Sequence, residues 1–83
     1  MDRASEVHDA GFQVGRRFAQ AVRQLRVVRG LSQEKLAARA ELNRSYMGEI
    51  ERAAVMPSLA TAAKLAQALE VPLWQLIQRA EDE

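Results

Sequence analysis

The stretch LSQEKLAARAELNRSYMGEIERA, Leu31 to Ala53, holds two short helix-like runs separated by Glu41 and Leu42, with a serine heading the first run and an asparagine heading the second. Serine and asparagine favour such positions because the side-chain oxygen accepts an amide proton that the first turn of a helix leaves unpaired. Ser32 therefore opens QEKLAARA, in which Glu34 sits in the first turn, where a carboxylate suits the helix dipole, and Leu36 and Ala37 face inward. Asn43 opens RSYMGEIE, whose Met47 and Ile50 form an inward i, i+3 pair, while Arg44, Ser45, Gly48 and Glu49 point outward. The turn between the runs is tight, yet it carries Glu41 where a glycine would be usual. Two such helices suit either a small packed bundle or a head that reads DNA.

Outward from this stretch every long segment reads as helix. From about Phe12 to Arg29 the apolar residues Phe18, Ala21, Val22 and Leu25 recur at three- and four-residue steps, Arg16, Arg17, Arg23 and Arg26 take other faces, and Gly30 stops the run. After Ala53, Pro57 breaks the chain and Ser58 caps a fourth helix with the apolar stripe Leu59, Ala62, Leu65, Ala66 and Leu69. Val71 and Pro72 interrupt again, and LWQLIQRA from Leu73 makes a fifth short helix. No alternating pattern bounded by hairpin turns is present. The expectation is an all-α, five-helix domain over residues 12–80. Residues 1–11 form a flexible or helix-extending segment and residues 81–83 an acidic end.

Composition narrows the function. The chain has 83 residues, no cysteine, and aromatic or imidazole side chains only at His8, Phe12, Phe18, Tyr46 and Trp74. A disulfide framework and thiolate metal sites are excluded. No apolar run approaches the roughly 20 residues needed to span a bilayer, so the chain reads as cytoplasmic, with no membrane partner. An enzyme would need an acid, base or nucleophile gathered in a pocket, and one histidine without cysteine supplies no such set. No metal site, cofactor or small-molecule ligand is expected. The net charge of +1 conceals a division: residues 16–52 carry nine Lys or Arg against four Glu, a net +5, whereas residues 1–15 and 53–83 each carry a net −2. A basic middle between acidic ends suits a surface that faces a polyanion, although it is also compatible with solvated helix faces.

The ordered set LRVVRGLSQEKLA, NRSYMGEIER, PSLATAAKLAQAL and VPLWQLI, covering about residues 18–78, resembles the helix-turn-helix regulators of the lambda-repressor and Cro type, the XRE family. Within it, NRSYMGEIER looks most like the controller proteins of restriction-modification systems, small dimeric regulators that bind their own promoter. The resemblance implies a lambda-repressor-like DNA-binding domain, cytoplasmic and nucleoid-associated, that binds a palindromic operator as a homodimer. An antitoxin using the same DNA-binding head is the alternative.

In a helix-turn-helix the second helix enters the major groove with its first residues at the base edges, while the helix before it crosses the backbone. That geometry makes Arg44, Ser45, Tyr46 and Glu49 the base-reading set. Arg44 has the fork that fits guanine O6 and N7. Ser45 donates or accepts. The Tyr46 ring meets a thymine methyl or packs on the turn, and Glu49 accepts from cytosine N4 or repels phosphate. Asn43 would turn the positive end of its helix to phosphate, and the resemblance implies that Ser32, Gln33 and Arg52 also hold the DNA backbone, with Gln33 bracing the reading helix. Lys35 and Arg39 are solvent-facing supports. By the same resemblance, Arg26 and Glu51 form a largely buried ion pair, and Glu41 and Ala53 occupy positions where the family has glycine at positive φ. Gly48, inside a helix, suggests close approach of another backbone or of DNA. In the fifth helix Leu73 and Leu76 face the core, which leaves Trp74 and Ile77 as the anchor of a dimer interface.

Overall fold

A computed structural model describes residues 3–81. Asp82 and Glu83, most of the expected acidic end, lie outside the described residues, as does the His8 side chain. Five helices follow one another, α1 Arg3–Val28, α2 Gln33–Arg39, α3 Arg44–Glu51, α4 Leu59–Ala68 and α5 Leu73–Glu81, and the described residues contain no strand. Three of the starts are capped by the residues that the sequence marks. Ser32 Oγ accepts from Lys35 N–H at 3.0 Å, Asn43 Oδ1 from Tyr46 N–H at 3.1 Å, and Ser58 Oγ from Thr61 N–H at 3.1 Å. Each bond satisfies a donor that the helix itself cannot.

The helix ends share one device. Gly30, Glu41, Ala53 and Glu70 all lie at positive φ, between 58° and 72°. In each case the residue at positive φ donates its N–H to the carbonyl three residues back, and the next residue donates to the carbonyl five back. Glu41 N–H meets Ala38 C=O at 3.1 Å and Leu42 N–H meets Ala37 C=O at 2.8 Å. Ala53 and Ala54 repeat the pattern on Ile50 and Glu49, and Glu70 and Val71 repeat it on Gln67 and Ala66. This is the Schellman arrangement, which pairs the last carbonyls of a helix and reverses the chain. The turn between α2 and α3 is therefore the usual one, occupied by a residue that bears its strain. Glu70 is a third such residue, and nothing in its sequence context marked it.

The core is built where the apolar faces of the five helices meet. Phe18 and Val22 of α1, Leu36 of α2, Met47 and Ile50 of α3, Leu65 of α4, Leu69 at its end and Leu76 of α5 are fully buried. Each such side chain contributes on the order of 1.5–3 kcal/mol of burial. Helix α1 packs on α5 and α3, and α2 lies against α3 and α4. Arg17 ties α1 to the end of α5, its Nη1 donating to the Ala80 carbonyl at 3.1 Å.

Three placements qualify the expectations. Helix α1 starts at Arg3 and so takes in residues 3–11, and Val7 and Phe12 in its first turns are exposed. A helix of 26 residues is about 39 Å long, so its N-terminal part runs past the core and sets the long axis of a 44 × 23 × 20 Å molecule. Leu59 is 71% exposed, because the packed stripe of α4 begins at Ala62 and the first turn overhangs the core. Gly48 lies on the outward face of α3 with Arg44, yet it is buried because the side chain of Arg52 covers it. The close approach that it permits is that of a guanidinium, not of another backbone.

Candidate nucleic-acid interface

Helices α2 and α3 meet through Leu36, Ala37, Met47 and Ile50, and this packing fixes the outward face of α3 beside the start of α2. Arg44 and Ser45 are exposed in the first turn of α3, and Glu49 is half-buried one turn on. With Gln33, Gly48 and Arg52 they line one open cleft. Of the four residues expected to read bases, three are thus gathered in the cleft. Tyr46 is the exception: its ring is half-buried against the core, so packing on the turn takes much of the apolar surface that a thymine methyl would have met.

The residues expected to grip the backbone are placed at two helix starts and one helix end. Ser32 and Asn43 are both committed as caps, each side-chain oxygen taking one first-turn amide, that of Lys35 and that of Tyr46, at the positive end of its helix. Gln33, the first residue of α2, turns its amide to Glu51, Nε2 donating to Oε1 at 3.0 Å. The bracing role expected of Gln33 therefore has a defined bond. Arg52 caps the end of α3 and extends back along it, with its guanidinium beside Gly48. Lys35 and Arg39 are exposed on α2.

Beneath the cleft lies the ion pair. Arg26 Nε donates to Glu51 Oε2 at 2.7 Å and Arg26 Nη2 to Oε1 at 3.1 Å, with the two side chains 15% and 3% exposed. Arg26 Nη1 donates to the Leu31 carbonyl at 2.9 Å. The fork on a carboxylate is the strongest geometry that such a pair can take. It joins the end of α1, the turn before α2 and the end of α3, and through Gln33 it reaches the cleft. The link from Arg26 to Leu31 has no signature in the sequence, since backbone acceptors leave no residue-type signal.

On α5, Trp74 is 65% exposed, while Ile77 is half-buried against the core beside Leu73. Trp74 and Leu59 are thus the large apolar side chains that α4 and α5 leave uncovered. None of the helices in the described residues is long and apolar enough to cross a membrane.

Comparison with known proteins agrees with this architecture. A family model described as a helix-turn-helix domain matches residues 17–76. The control protein C.BamHI of Bacillus amyloliquefaciens is 44% identical over 55 residues, 65% of this chain and 68% of that protein. The control protein C.SmaI of Serratia marcescens is 39% identical over 62 residues, 75% of this chain and 74% of the relative. The crystal structure of the restriction-modification controller protein C.AhdI from Aeromonas hydrophila superimposes with a TM-score of 0.72 at 44% identity, covering 74% of this chain and 92% of that one. With its capped α2 and α3 set at the family's spacing and its cleft between them, the chain belongs to the helix-turn-helix family of the restriction-modification controller proteins.

Proposed function

We propose that the protein is a sequence-specific DNA-binding transcriptional regulator, a controller protein that acts in the cytoplasm on a two-fold symmetric operator, including that of its own promoter. The cleft lined by Gln33, Arg44, Ser45, Gly48, Glu49 and Arg52 carries this reading. Arg44 stands at the start of the recognition helix and the Arg52 guanidinium folds back beside Gly48, where major-groove docking would bring the first to base edges and the second to the groove wall. Arg44, with Ser45 and Glu49, reads bases. Tyr46 supports the turn and offers its phenol at the rim. Ser32, Gln33, Asn43 and Arg52 hold phosphates.

One such domain touches few base pairs, and two of them on half-sites about 34–36 Å apart would supply the specificity. The homodimer is proposed through Trp74, with Ile77 beneath it as the packed edge of the same face, because an exposed tryptophan is the side chain most suited to anchor an interface.

The test is selection of bound duplexes from random DNA, followed by titration of the enriched site at several salt concentrations. The expected result is a palindromic site whose half-sites are about one helical turn apart, with affinity falling steeply as salt rises. No enriched sequence, or salt-independent binding, refutes the reading.

A further inference from the structure

Gly48 is not required by the fold. It lies inside α3, where glycine weakens a helix relative to alanine, and its φ is not in the left-handed region. A Cβ built there meets no backbone and no core atom. The nearest atoms are Arg52 Nη1 at 3.1 Å and Gln33 Oε1 at 3.8 Å. Both neighbours belong to the reading cleft. Arg44, Gly48 and Arg52 are four residues apart in turn, so they form one stripe on α3. The Arg52 guanidinium has no hydrogen-bond or ion-pair partner among the described residues, although it lies close over the helix.

We infer that Gly48 is a positioning residue for DNA binding: by lacking a side chain it lets the Arg52 guanidinium lie flat across α3 beside Gln33, ready to take a phosphate on the wall of the groove that Arg44 reads. The inference rests on the DNA-binding function proposed above. The phosphate follows from position. The Arg52 guanidinium, folded back beside Gly48, lies about one turn, roughly 6 Å, along the helix axis from Arg44, and base edges are met by the first residues of a recognition helix while groups beyond them meet the backbone. An alanine methyl would lift the guanidinium by a few tenths of an ångström, a small displacement for a flexible side chain but a direct one for its contact.

The test uses the full chain, the duplex enriched by selection, and the variants Gly48→Ala, Arg52→Gln and the double variant. Gly48→Ala raises Tm by about 4 °C through helix propensity yet weakens binding about threefold or more. Arg52→Gln weakens binding about tenfold and lowers the slope of log K against log salt by about 0.9. In the Arg52→Gln background, Gly48→Ala changes affinity less than about twofold, as a coupled pair requires. Equal weakening in both backgrounds would mean that the methyl meets DNA itself. Unchanged binding by Gly48→Ala would leave Gly48 without a role, a lowered Tm would return the glycine to the fold, and an unchanged salt slope for Arg52→Gln would remove the phosphate. Each of these overturns the inference while leaving the DNA-binding function standing, whereas the absence of any enriched duplex overturns that function first.

Discussion

Replacing Glu51 by alanine tests how the interface is held. Three donors lose their acceptor at once, namely Arg26 Nε, Arg26 Nη2 and Gln33 Nε2. The Arg26 side chain is only 15% exposed, so its charge stays largely desolvated with the Leu31 carbonyl as its remaining partner. Breaking a buried pair from one side costs about 3–5 kcal/mol. Partial access of water to Arg26 places this case at the lower end, about 3–4 kcal/mol. A domain of this length has on the order of 4–12 kcal/mol in total, so the variant loses about a quarter of its stability or more. At about 4–8 °C per kcal/mol, thermal unfolding followed by circular dichroism should drop by at least about 12 °C. Glu49→Ala, two residues away on the cleft, should shift Tm by less than about 4 °C, since surface exchanges stay within about 0.5 kcal/mol. Exchanging both Arg26 and Glu51 for methionine should recover most of the loss, because no charge is then left unpaired. Equal melting temperatures for Glu51→Ala and Glu49→Ala would refute the reasoning.

Other outcomes follow from the same geometry. Glycine at Glu41, Ala53 or Glu70 relieves a left-handed residue at a helix end and should stabilise by about 0.5–1 kcal/mol each after the added chain entropy, whereas Gly30→Ala should destabilise by about 1 kcal/mol; urea midpoints at constant m-value decide both. Arg44→Ala should cost about 1–3 kcal/mol of discrimination at one guanine of each half-site, read as a relaxed preference in repeated selection, and a uniform loss over all sequences would make it a phosphate contact instead. Trp74→Ala should give a monomer by light scattering and weaken operator binding, since the side chain is exposed in the single chain; a persistent dimer would place the contact elsewhere.

What the sequence revealed were the features written in neighbouring residues. Ser32, Asn43 and Ser58 cap because a short oxygen three residues before an amide is a local arrangement. The inward pairs Leu36 with Ala37 and Met47 with Ile50 follow from helical period. Periodicity gives the phase of a helix but not where its opposing element ends, so Leu59, in phase with Ala62 and Ala66, nonetheless lies in the open. The same gap left the first turns of α1 open between two readings: without a packed stripe before Val14 nothing local marks a start, and a helix anchored at Phe18 propagates outward through residues that merely permit it.

The site was legible in its parts and not in their coupling. Resemblance to the family marked Gln33 and Arg52 as backbone contacts and Arg44, with its forked donor, as a base reader, and it separately paired Arg26 with Glu51, with no link between the two sets. In the structure Gln33 belongs to both. One of its amide protons goes to Glu51, which fixes the plane of the side chain and leaves Oε1 facing Gly48 in the cleft. A carboxylate that is 3% exposed thereby orients a group at the surface where DNA would lie. The stability of the fold and the posture of the reading surface are consequently coupled at this one bond. A change that keeps the ion pair but removes the amide, Gln33→Leu, should leave the melting temperature within a few degrees of wild type while lowering affinity for the selected duplex, and equal effects on both would show that Gln33 serves the scaffold alone.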